Sequence, residues 1–176
     1  MNIKKWQIFA SIFCLILGTI LHFTYEWFNY NVIVGLFSTI NESVWEHLKL
    51  LFYPMFFISI IGYFKIGRKL CNYWYAQMYG IVFALIFVVV FFYTYTGIIG
   101  TNFFIIDIFT FVFAVLIGEY ISYKIMNSEE QSTKATKIMS IIILVVLTIY
   151  FVLFTFVTPR INYFKDPVNG SYGRKL

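Results

Sequence analysis

The sequence predicts an all-helical integral membrane bundle: five transmembrane helices, with a short interfacial or re-entrant helix before the second. Three observations carry this prediction. Hydrophobic residues make up 61% of the 176-residue chain and charged residues only 12%, against about 25% charged in a soluble domain. Five apolar stretches reach the roughly 20 residues that a helix needs to cross the hydrocarbon. Lysine and arginine alternate between loops, as the positive-inside rule requires.

Taken in order, the first span covers about 6–25. Lys4 and Lys5 precede its apolar run as in a signal sequence. No small-x-small cleavage site follows, however, and the polar string Thr24-Tyr25-Glu26 ends the run, so a retained helix is expected. The stretch Val32–Ile40 is apolar but nine residues long, too short to cross, and is expected to lead into the second span, 44–64. Pro54 lies inside that span and should kink it, freeing a backbone carbonyl near its middle. The third, fourth and fifth spans cover about 73–95, 103–126 and 138–157. In the tail, 158–176, the run from Asp166 to Gly173 has the Pro and Asn-Gly chemistry of tight turns. The whole chain reads as a single membrane domain, 1–176. It shows no internal repeat, which argues against an inverted-repeat transporter within one chain.

Orientation follows from the basic residues. Lys4 and Lys5 precede span one; Lys65, Arg68 and Lys69 join spans two and three; Lys124, Lys134 and Lys137 join spans four and five. The opposite loops, 26–41 and 96–102, hold no lysine or arginine. The expected N-terminus is cytoplasmic and the C-terminus extracytoplasmic, even though Arg160, Lys165, Arg174 and Lys175 then lie outside. The net charge of +5 is read as this topology signal, since no folded basic module points to nucleic acid. Cys14 and Cys71 fall at different depths, so no disulfide is expected.

Ionisable residues are few, and they gather. Both histidines and three of the eight acids lie between His22 and His47, in a chain where charge at membrane depth is costly and usually faces a partner or a water-filled cavity. His22 and Glu26 are four residues apart near the end of span one; Glu42 and Glu46 repeat that spacing at the head of span two, with His47 adjacent. Residues so spaced share a helix face. The set suits a borderline divalent cation, zinc above iron or manganese. His22, Glu26 and His47 are the expected metal ligands. Glu46 is the expected general base, with Glu42 as a ligand or second catalytic acid. Asn41, Ser43, Asp107, Arg160 and Asp166 are expected along the wall, and the tail is expected to fold over the site. A plainer reading competes: Ser43–Glu46 and Thr39–Glu42 are both capping boxes, and acids favour a helix N-terminus anyway. Glu119, deep in span four, is expected to pair with Lys124 or to snorkel inward.

The run Asn41-Glu42-Ser43-Val44-Trp45-Glu46-His47-Leu48-Lys49-Leu50, followed by Tyr53-Pro54, resembles the signature of an uncharacterised family of small polytopic bacterial membrane proteins. The His-x-x-x-Glu of His22 and Glu26 and the Asp166–Gly173 tail are similar to further features of that family, so the resemblance covers nearly the whole chain. It implies a common fold and shared polar residues, and no assigned activity. Three functions compete on the sequence. One is a metal-dependent, hydrolase-like membrane enzyme acting on a lipid or lipid-linked substrate. Another is a cation, proton or small-solute binding or transport module, which would need a homo-oligomer or partner subunit. The third is a structural or accessory subunit.

Overall fold

The computed structural model describes residues 2–129 and 132–174, and among them it is all-helical with five helices long and apolar enough to span a membrane. Lys175, counted above with the basic tail, lies outside the described residues. Helix α1 runs Ile3–Trp27, α2 Val32–Gly35, α3 Val44–Lys65, α4 Tyr73–Ile99, α5 Phe104–Met126 and α6 Lys134–Phe156. The predicted spans all form, but α4 extends past residue 95 and α6 starts before residue 138. Hydropathy marks where hydrocarbon begins, whereas the backbone keeps its helical bonds into the polar boundary. Thr133 sets the actual start of α6, where its hydroxyl accepts from Thr136 N at 3.1 Å.

The short element is smaller than expected. Asn31 caps it through Ile33 N (2.9 Å), it ends at Gly35, and residues 36–43 continue as turns. Two consecutive residues with positive φ, Asn29 (50°) and Tyr30 (59°), turn the chain back after α1. The Ser38 hydroxyl then pins the segment to that helix, donating to Leu21 O and accepting from Tyr25 N.

Helix α3 is the axis of the bundle: 61% of its most apolar window is buried, against 22–28% in the other four spans. The remaining helices therefore turn most of their surface outward, as lipid-facing helices do. Pro54 sits inside α3, and, having no N–H, leaves Leu50 O without its helical donor. That carbonyl lies against Gly18 of α1, so close that a Cβ at position 18 would approach it to 2.5 Å. Helices α4 and α5 meet along small residues, where Ser122 Oγ donates to Ala76 O (3.0 Å) and a Cβ on Gly118 would come within 2.8 Å of Gly80 O.

After α6 the tail folds back. Lys165 and Tyr172 form an antiparallel bridge closed by Asp166 N to Ser171 O (2.9 Å), with Gly170 and Gly173 at φ of 72° and 58°. Arg174 N donates to Thr155 O (3.1 Å), returning the chain end to α6. Phe164 is buried beside Trp45 of α3, their ring centroids 5.0 Å apart. Beside it, burial pushes the Tyr163 hydroxyl pKa above its ordinary value, and the phenol stays neutral.

Candidate metal centre

The C-terminal end of α1, the start of α3, the end of α6 and the tail all meet at one end of the bundle. Here His22, Glu42 and His47 each offer a ligand atom, and these atoms lie within 4.8 Å of one another. His47 Nε2 is 3.5 Å from Glu42 Oε2, and the two imidazole rings are 5.3 Å apart, edge to face. A tetrahedral ion with bonds near 2.0–2.2 Å needs ligands about 3.3–3.5 Å apart. The Glu42–His47 pair already meets that spacing.

Local structure explains why these groups point at each other. The His47 ring is anchored by Nδ1, which lies 3.0 Å from Ser43 O one turn back. A carbonyl can only accept, so Nδ1 is the nitrogen that donates and Nε2 is the one turned towards Glu42. Holding the distal ring nitrogen on a carbonyl is how metal-binding histidines are commonly oriented. His22 is half-buried, its Nδ1 is buried without a hydrogen-bond partner, and its backbone carbonyl accepts from Thr39 at 3.3 Å. The side chains of His47 and Glu42 are 36% and 48% exposed, so the trio opens to one side.

Glu26 is exposed one turn beyond His22 and stands outside the trio, whose carboxylate is that of Glu42. Glu46 departs furthest from its expected role as base. Its carboxylate turns into the protein, 1% exposed, and Oε2 accepts from Lys49 Nζ (2.7 Å) and Ile40 N (3.1 Å). Helix geometry accounts for this, since Glu46 and His47 are successive residues about 100° apart around α3 and cannot both face one site. Neither capping box closes fully. Ser43 does cap α3, accepting from Glu46 N (3.3 Å), but Ser43 N donates to Asn41 Oδ1 (2.9 Å), so the glutamate is free for Lys49.

Of the wall residues, Asn41 and Asp166 reach the site from the side of the tail. Asn41 Nδ2 donates to Gly173 O (3.4 Å) and Glu42 N to Asp166 Oδ2 (3.5 Å). Asp166 is 2% exposed and also accepts from Val168 N (2.7 Å) and Asn169 Nδ2 (2.8 Å), so it organises the turn that touches Glu42. Asp107 is engaged elsewhere: it accepts from the Tyr95 hydroxyl and from Asn102 Nδ2 (3.1 Å), bracing the α4–α5 turn. Arg160 is exposed and makes no hydrogen bond or ion pair among the described residues.

The residue that sequence reasoning missed is Lys49. Fully buried, its ammonium spends all three donors, on Glu46 Oε2, Thr155 Oγ1 (2.7 Å) and Gly35 O (3.0 Å). It thereby joins the α2 segment, α3 and α6 directly beneath the trio's helix turn. A lysine inside an apolar span, three residues after a glutamate, was the available signal.

No curated protein and no solved structure matches the chain. A family model does match, over residues 1–174 and so over both the helical core and the tail that closes on Asn41 and Glu42. The chain thus belongs to the family of unknown function DUF6512.

Proposed function

We propose that this protein is a membrane-embedded, divalent-metal-dependent enzyme of hydrolytic type, with the ion held by His22, His47 and Glu42. One observation carries the reading: three ligand atoms of zinc-like chemistry from two helices and the turn between them lie within 4.8 Å of each other, beside a histidine already oriented through Ser43 O. Three protein ligands that leave a position open are the pattern of catalytic rather than structural zinc. A divalent ion bound there would lower the pKa of its water towards neutrality. Glu26, exposed and one turn from His22, is the free carboxylate for proton transfer, replacing Glu46, whose oxygen is held by Lys49.

Two further observations support a lipid or lipid-linked substrate in the outer leaflet. Phe23 packs on the His22 ring (4.9 Å) and stacks on Trp27 (5.9 Å), and both aromatics are exposed on the apolar flank of the site. The basic loops, Lys65–Lys69 and Lys124–Lys137, belong to the opposite end of the bundle, so the positive-inside rule favours an extracytoplasmic site and a cytoplasmic N-terminus. The test is elemental analysis of protein purified in detergent and loaded with zinc, beside His22→Ala. One ion per chain, lost in the variant with folding intact, is the expected result. Wild-type protein that takes up no metal would overturn the proposal and leave the trio as a hydrogen-bonded polar cluster.

A further inference from the structure

A further buried carboxylate, besides Glu46 and Asp166, lies at the other end of the bundle and has no place in the candidate site. Glu119 of α5 is 2% exposed, about two turns before the end of its helix. Of its two expected fates it takes neither: it makes no ion pair with Lys124 among the described residues, and it stays buried rather than snorkelling out. Its oxygens instead meet α1: Gln7 Nε2 donates to Glu119 Oε2 (2.7 Å) and to Glu119 O (3.0 Å), and the Cys14 thiol lies 3.9 Å from Oε1. Gln7 is 5% exposed and Cys14 fully buried.

Glu46 and Glu119 are both removed from water, but the only ion pairs among the described residues are Glu46–Lys49 and Glu42–His47. Glu46 meets an ammonium; Glu119 meets an amide and a thiol, both neutral. The titratable groups around Glu119 are Cys14 on α1 and Tyr73 on α4, and the Tyr73 hydroxyl is already donated to Ser59 O (2.6 Å). An isolated buried carboxylate with no cation is so costly that such groups neutralise instead.

The Gln7 amide points the same way. Because its Nε2 reaches a backbone carbonyl, which can only accept, the orientation of the amide is set. Its Oε1 is then buried with no donor, on the same group that touches the carboxyl. A carboxylic O–H is the donor this centre lacks. We propose that Glu119, Gln7 and Cys14 form a proton-binding site within the membrane, the proton residing on the Glu119 carboxyl and facing the Gln7 amide oxygen. The proton comes from water, and no bond other than the O–H is made.

Infrared difference spectroscopy of the protein in lipid nanodiscs at neutral pH tests this. Subtracting Glu119→Gln, which keeps the shape of the neutral acid, should leave a carboxylic C=O stretch in the wild-type spectrum. The same variant should move the S–H stretch of buried Cys14, and Cys14→Ser or Gln7→Leu should move the carboxylic band. A wild type that loses only carboxylate stretches on subtraction, with or without a dependence on added alkali cation, would overturn the site. So would a carboxylic band indifferent to both Cys14→Ser and Gln7→Leu, since it would belong to another residue. Should Glu119→Gln not fold, the response of the wild-type band to Cys14→Ser decides the question alone.

Discussion

Lys49 and Glu46, three residues apart on α3, form an ion pair of 2.7 Å in which neither side chain reaches solvent. The pair is closed by partners from outside α3, the Thr155 hydroxyl, Gly35 O and Ile40 N, so it acts as a clasp between the α2 segment and α6. Removing one member strands the other's charge, which typically costs about 3–5 kcal/mol. Lys49→Met is expected to destabilise by about that amount in a detergent unfolding series. Adding Glu46→Gln to Lys49→Met should recover part of the loss, because the stranded carboxylate is then gone. A double variant no more stable than Lys49→Met would show that packing, not charge, dominates there.

The same clasp separates two roles that share one helical turn. Glu42→Gln should remove bound metal while leaving the thermal stability of the metal-free protein within about 0.5 kcal/mol of metal-free wild type, as for an exposed substitution. Glu46→Gln should do the reverse, lowering stability and retaining metal. Glu26→Gln should retain both and lose turnover. Metal content and melting temperature measured on the three variants check the division. Metal loss in Glu46→Gln at unchanged stability would return that residue to the site.

Gly18 leaves no room for a methyl on α1. A Cβ there would come within 2.5 Å of Leu50 O and 2.6 Å of the Phe111 ring. The carbonyl is fixed by the α3 axis and cannot retreat as a flexible side chain would. Gly18→Ala should cost about 1–3 kcal/mol, the range for overpacked cores. By comparison, a Cβ at Gly97 meets nothing within 4 Å, so Gly97→Ala should be neutral or slightly stabilising.

Topology is checked by cysteine labelling in a background of Cys14→Ser and Cys71→Ser. Ile99→Cys, at the end of α4 on the side of the histidine pair, should react with an impermeant reagent applied from outside. Ser132→Cys, in the α5–α6 loop, should be protected until the membrane is opened. The reverse pattern would move the His22, Glu42 and His47 trio to the cytoplasmic face.

The spans were legible because length and apolarity fix what can cross a bilayer, and each predicted segment contains the core of a helix in the structure. Of the site, His22, Glu42 and His47 were legible from rarity: polar side chains so scarce in an apolar chain lower their desolvation cost by meeting one another. Their division of labour was not legible. Glu46 satisfies the same spacing rule as Glu42, and only the position of Lys49 on the next turn decides that it faces inward. The partner of Glu119 was hidden for a related reason. Lys124 is near it in sequence, whereas Gln7 lies 112 positions away, and no local pattern tells which face of α1 meets which face of α5.

The clasp at Lys49 has a consequence for how the chain is made. Two of the three acceptors of the Lys49 ammonium, on Gly35 and Glu46, are synthesised before it; the third, Thr155, arrives more than a hundred residues later. Asn41 and Glu42 likewise wait for Gly173 and Asp166. During biogenesis the four spans before α6 are therefore inserted with this polar patch incomplete, and α6 and the segment after it close it. A ribosome that stops before α6 leaves a product whose central lysine lacks its hydroxyl partner and whose Asn41–Glu42 turn is unanchored. Such a product carries its own mark of incompleteness within the bilayer.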